Sequence, residues 1–122
     1  MAGRLVHFEL PADDTARARD FWSSLFGWSF RGWDGPIEYH MTEGVDPGGA
    51  IYPADGDERG PIVYFDVDDM DAAIGRVREF GGEADDKQPI PRVGWFARAR
   101  DTEGNRFSLY QSDESVPGPS EG

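Results

Sequence analysis

The chain has 122 residues, with 24 Asp and Glu against 12 Lys and Arg, a formal net charge of −12 and no cysteine. That length allows one domain with a modest core. The charge repels nucleic acid and anionic membranes, and the missing cysteine excludes disulfides, thiolate metal sites and a cysteine nucleophile. No apolar run approaches a membrane span. Met1-Ala2-Gly3-Arg4 leads straight into a strand pattern without a signal peptide, so a cytoplasmic location is expected. The acidic balance reads first as a solvated surface, and second as a field that favours a cationic ligand.

The first strand is Leu5-Val6-His7-Phe8-Glu9-Leu10, alternating as a half-buried strand does. Asp13-Asp14 follows and can N-cap a helix over about 14–26, whose apolar stripe is Ala18, Phe21, Trp22 and Leu25. Gly27 stops that helix. Short strands are expected near 28–33, 37–42 and 50–53, with a turn at Gly32-Trp33-Asp34-Gly35-Pro36. A linker at about 55–60 leads to a second strand, Ile62-Val63-Tyr64-Phe65-Asp66-Val67. Asp68-Asp69 then caps a helix over about 69–80 with the stripe Met70, Ala73, Ile74, Val77 and Phe80, ended by Gly81-Gly82. Strands near 83–87, 95–100 and 106–111 complete the pattern, the last two joined by the turn Asp101-Thr102-Glu103-Gly104-Asn105. From Ser112 to Gly122 the chain is rich in Pro, Gly and polar residues with one Val, and reads as a flexible tail.

The same order of elements thus occurs twice, over about 4–54 and about 61–111, in a single domain of about 1–111. The fold class expected is α+β: two tandem βαβββ modules forming a curved mixed sheet around a cleft, with the helices on the outer face. Phe8, Phe21, Trp22, Phe65 and Phe80 read as core by alternation or stripe. The opposite strand faces carry His7 and Glu9 in the first module and Tyr64 and Asp66 in the second. Tyr52, Trp95, Ser108 and Tyr110 join them as candidate ligand contacts, because tyrosine and tryptophan stack on planar or cationic molecules. His40 has no secure register and reads as structural or exposed. The glycine pairs Gly48-Gly49 and Gly81-Gly82 read as turns and caps, since no strand, glycine loop and helix follow in the order a phosphate loop needs.

These residues resemble the vicinal-oxygen-chelate superfamily, which includes glyoxalase, bleomycin-resistance proteins and extradiol dioxygenases. The resemblance rests on His7-Phe8-Glu9-Leu10-Pro11-Ala12-Asp13-Asp14, Phe21-Trp22 seven residues after Asp14, and Leu25-Phe26-Gly27-Trp28. In the second half it rests on Phe65-Asp66-Val67-Asp68-Asp69, Gly94-Trp95-Phe96-Ala97 and Asp101-Thr102-Glu103-Gly104-Asn105. It covers about 4–112 and implies paired modules around a U-shaped cleft, often in a homodimer.

The family's catalysts hold a divalent metal with His and Glu from the first and last strands of each module. His7 stands at one such position. Ile62 or Tyr64, Ser108 and Ala50 stand at the other three, so one of four ligands is retained. The expectation is a small-molecule-binding protein without the family metal or another cofactor, taking an aromatic or cationic ligand. The alternative is an enzyme of the same superfamily, an isomerase, lyase or dioxygenase relative, using His7 and Glu9 as acid–base groups or an atypical metal.

Overall fold

A computed structural model describes residues 2–118. The chain forms two compact units, His7–Ile62 and the remainder, with the residues up to Val6 grouped with those from Val63 onward.

In the His7–Ile62 unit, β1 (Leu5–Ala12) leads to α1 (Thr15–Phe26), β2 (Ser29–Gly32), β3 (His40–Glu43) and β4 (Gly49–Pro53). The strand order is β2-β3-β4-β1. β1 and β4 are parallel, whereas β2 with β3 and β3 with β4 are antiparallel. Asp14 caps α1 as expected, its carboxylate accepting from Arg17 N at 3.0 Å. Gly27 ends the helix at φ 72°, the left-handed conformation a side chain resists.

The apolar stripe of α1 is only partly covered. The helix packs on β4, and Trp22 stacks on Trp28 with centroids 5.1 Å apart, while Trp28 meets Phe8 at 5.9 Å. Phe21 and Leu25, read from the sequence as inward-facing, are 58 % and 54 % exposed, and no residue of the helix is buried. The apolar arc, widened by Phe26, exceeds what one strand and the Trp22–Trp28 stack can cover.

In the second unit, β5 (Ile62–Asp66) is followed by α2 (Met70–Glu79), β6 (Glu83–Ala84), β7 (Gln88–Ile90), β8 (Gly94–Arg100) and β9 (Arg106–Ser112). The order is β5-β9-β8-β6, with β7 also pairing β8. β7 is one strand more than the repeat predicts. Met70 and Ile74 of α2 bury against Ala97 and Leu109, with Val67, Ala73, Val77, Trp95 and Phe107 packed around them. Phe80 lies beyond the last helical residue and is exposed, so the stripe ends at Val77. The turn at 101–105 is tied as its sequence suggests: Asp101 Oδ1 accepts from the backbone N–H of Glu103 and of Asn105, both at 2.9 Å.

Asp69 caps α2 by accepting from Ala72 N at 3.2 Å, and Gln111 Oε1 accepts from Met70 N at 2.7 Å. Replacing Asp69 with Ala is expected to cost about 1 kcal/mol of stability in urea denaturation. An unchanged midpoint would show that Gln111 alone suffices.

Part of the segment read from the sequence as a flexible tail, Ser112 to Gly122, is docked on the second unit. Val116 is 4 % exposed, its carbonyl accepts from Arg92 N at 2.9 Å, and Asp113 N donates to Val93 O at 2.9 Å. One valine and two backbone hydrogen bonds therefore fasten the chain as far as Val116. Residues 119–122 lie outside the described part. No described helix is long and apolar enough to cross a membrane.

Candidate functional site

The register of β1 on β4 sets the first candidate site. Glu9 pairs with Ala50 and Pro11 with Tyr52, while Phe8 pairs with Gly49 and Leu10 with Ile51. Side chains of a strand alternate, so His7, Glu9, Ala50 and Tyr52 share one face and Phe8, Leu10 and Ile51 the α1 face. Gly49 makes room for the Phe8 ring, which a Cβ there would meet at 2.4 Å.

A residue not singled out from the sequence joins His7 to Glu9. Tyr39 lies just before β3, fixed by Trp33 N donating to its carbonyl at 2.8 Å. Its hydroxyl donates to Glu9 Oε2 at 2.8 Å, and His7 Nε2 lies 2.6 Å from the Tyr39 hydroxyl oxygen. With the phenol hydrogen directed at Glu9, the short contact requires a hydrogen on Nε2, which assigns the Nε2–H tautomer to a neutral His7. Burial holds His7 down, from the usual 6.5 to about 4. The ring of Tyr39 is packed by Trp33 edge-on at 5.6 Å and Tyr52 at 6.2 Å, and the His7 ring stacks at 6.1 Å.

Glu9 is 6 % exposed, and taking a carboxylate out of water costs several kcal/mol before its partners, the Tyr39 phenol among them, offset it. An apolar side chain at position 9 would pack as well, and nothing in a βαβββ unit requires a charge there. A polar chain kept against that cost is the usual mark of a functional surface.

The second unit has its own face opposite α2. The registers Tyr64 with Ser108, Asp66 with Tyr110, Arg98 with Ser108 and Phe96 with Tyr110 place these six residues on one side. Ser108 is fully buried, and its Oγ has no hydrogen-bond partner among the described residues. Arg98 is the residue that sequence reasoning missed here. Asp66 is a fastener, since its Oδ1 accepts from Arg4 N at 2.8 Å.

Trp95 requires correction. It pairs with Gln111 and lies one residue out of phase with Phe96, so it faces α2 and packs on the Met70 and Ile74 cluster. Its Nε1 donates to Asp113 Oδ2 at 3.2 Å, and Lys87 Nζ sits 4.7 Å above its ring. His40 is structural. It pairs with Ile51 on the α1 face and bonds Glu38 at 2.8 Å, and Glu38 also accepts from Thr15 Oγ1 at the start of α1.

The donor set does not suit the divalent metal of the family's catalysts. Ala50 offers no ligand atom and Ser108 only a neutral hydroxyl, whereas such sites take imidazole and carboxylate. His7 Nε2 is engaged by Tyr39, and no three His, Asp or Glu side chains gather as a metal site among the described residues.

A family model described as a glyoxalase-like domain matches residues 6–110. The chain belongs to the glyoxalase-like domain family. A relative in Didymella fabae, a glyoxylase-like domain-containing protein, is 32 % identical over 88 % of this chain and 92 % of its own length. Solved structures share the glyoxalase-like fold at lower identity. A hypothetical protein, BH1468 from Bacillus halodurans C-125, superposes with a TM-score of 0.71 at 12 % identity, covering 95 % of this chain and 99 % of its own. Methylmalonyl-CoA epimerase from Mycobacterium tuberculosis superposes with a TM-score of 0.65 at 19 % identity, covering 97 % and 89 %. The chain therefore has the α+β fold of the vicinal-oxygen-chelate superfamily.

Proposed function

We propose that this glyoxalase-like protein binds a small aromatic molecule carrying a polar or cationic group, without a metal, at the face formed by His7, Glu9, Tyr39 and Tyr52. The observation that carries this reading is the buried Glu9 carboxylate, reached through Tyr39 and walled by aromatic rings. Tyrosine and tryptophan faces offer stacking area to a planar ligand, and a carboxylate out of water favours a cation far more than an exposed one does. His7 stays neutral above about pH 5, so it adds hydrogen bonding to the face and no opposing charge.

Thermal-shift titration with benzamidine and related aromatic cations, against the neutral isostere benzamide, tests this. A true ligand at one hundred times its Kd adds about 2.7 kcal/mol of stability. Glu9→Gln keeps the side-chain shape and removes the charge, so it is expected to weaken a cationic ligand about tenfold and a neutral one little. A cation shift that Glu9→Gln leaves intact would overturn the assignment.

The hydrogen-bonded chain from Glu9 through Tyr39 to His7 favours one second reading, a proton-transferring enzyme. An imidazole held at about 4 is a weak base at neutral pH, so in that reading Glu9 takes the proton and Tyr39 and His7 position it. Turnover of a small carbon acid, abolished by Glu9→Gln with binding retained, would support the enzyme over the binder.

A further inference from the structure

We propose that Trp33 is a positioning residue of the ligand face, a role that rests on the reading of that face as a ligand site. Its indole, seated on Gly35, holds the Tyr39 phenol on Glu9 and keeps water from the chain that runs on to His7. Gly32 pairs with His40 at the end of the β2–β3 ladder, and one step beyond it Trp33 N donates to Tyr39 O at 2.8 Å. The two side chains meet there, with ring centroids 5.6 Å apart and planes at 65°. The indole also lies against Gly35, where a Cβ would stand 2.2–2.3 Å from three atoms of its six-membered ring. Gly35 does not have the left-handed φ that by itself calls for glycine. It is the ring that excludes a side chain at this position. The far end of the loop is anchored as well, because Glu38 accepts from Thr15 Oγ1 at 2.6 Å and bonds His40 Nε2 at 2.8 Å. Asp34, Gly35, Pro36 and Ile37 are exposed between these ties, while Trp33 and Tyr39 at the base are partly buried.

Tyr39 precedes β3 and belongs to no strand, so the sheet does not fix its ring. A side chain in that setting regains rotamer freedom unless neighbours take it away. Tyr52 bounds the ring at 6.2 Å and His7 at 6.1 Å, and Trp33 bounds it from the loop. Removing the indole frees the phenol to turn from Glu9 toward solvent, and water then reaches the carboxylate and the imidazole. A hydrated imidazole takes a proton more readily than a buried one, because its charged form is no longer penalised. The seat of Trp33 is thus readable at His7, through Tyr39, with no ligand present.

NMR titration of His7 is the measurement, its signal being the one of the chain's two histidines that His7→Gln lacks. In the parent it is expected to titrate at about 4. Trp33→Ala removes the indole, and Gly35→Ala displaces it while changing no ring of the site. Both are expected to raise the His7 midpoint to about 5 or higher. Trp33→Phe keeps a ring against Gly35 and should stay near the parent value. Ile37→Ser, at an exposed position of the same loop, should leave it unchanged. The preference for benzamidine over benzamide should also fall about fivefold in Trp33→Ala, since a solvated carboxylate favours a cation less. A His7 signal that stays at about 4 in folded Trp33→Ala overturns the role, as does an equal rise in Ile37→Ser or a parent signal near 6.5. If benzamidine fails to bind the parent, the ligand reading falls, and the titrations still decide whether Trp33 holds Tyr39. Where Gly35→Ala does not fold, Trp33→Ala against Trp33→Phe decides alone.

Discussion

Gly94→Ala is expected to destabilise the protein by about 3 kcal/mol, lowering the thermal midpoint by roughly 10 °C. The single methyl would stand 2.0 Å from the carbonyl oxygen of Gln111 and 3.1 Å from the backbone nitrogen of Asp113. Those atoms belong to the backbone of β9 and the turn after it, so no side chain can swing aside. β8 and β9 must part where Gly94 pairs with Ser112. That movement strains the Trp95–Asp113 bond and the docked Val116 together. Gly75→Ala is the control. It lies in α2 with nothing within 4 Å of its added methyl, and a gain of about 0.5–1 kcal/mol is expected from helix propensity. Urea denaturation of both variants decides the matter. A Gly94→Ala protein as stable as the parent would mean that the β8–β9 register is wrong.

The second large effect is a loss of stability on acidification that belongs to His7. Its imidazole titrates near 6.5 when the chain is unfolded and about 4 when folded. Between these values the unfolded state binds a proton that the folded state refuses. His7 therefore leaves stability undiminished above about pH 6.5, and withdraws it as pH falls from there to about 4, by about 3 kcal/mol in total. Below about 4 both states are protonated and the penalty is constant. Carboxylates titrate in the lower part of this window, so the measurement is the difference between the parent and His7→Gln. The parent should lose the additional stability between pH 6.5 and 4, and His7→Gln should not. Parallel profiles would mean that His7 is solvated, and the buried chain through Tyr39 to Glu9 would fail with it.

Much of the architecture is legible in the amino-acid sequence. The doubled order of strand, aspartate cap, amphipathic helix and short strands follows from periodicities of two and of three to four residues, and both caps form with the residues expected. His7 and Glu9 share a face because they are two apart in one strand. The same parity separates Trp95 from Phe96 and Tyr110, and that separation becomes readable only with the register of β8 on β9. Tyr39 could have been placed on the face of His7 and Glu9 by its two-residue spacing from Met41, once Met41 is known to pair with Ala50. That pairing joins residues nine apart through a loop, which local pattern does not reveal.

The amino-acid sequence by itself determined the doubled order of elements, their α+β class and the aspartate caps at Asp14 and Asp69, because each depends on residue type and short-range spacing. The tertiary structure alone decided three things. It showed which flank of the α1 arc is covered, since a helix's rotation about its axis is set by the strand beneath it. It placed the phenol of Tyr39 between His7 and Glu9, since contacts 30 and 32 residues apart depend on sheet register. It also folded Val116 back onto the chain, since one valine is too little to announce a docked segment until the surface that receives it exists.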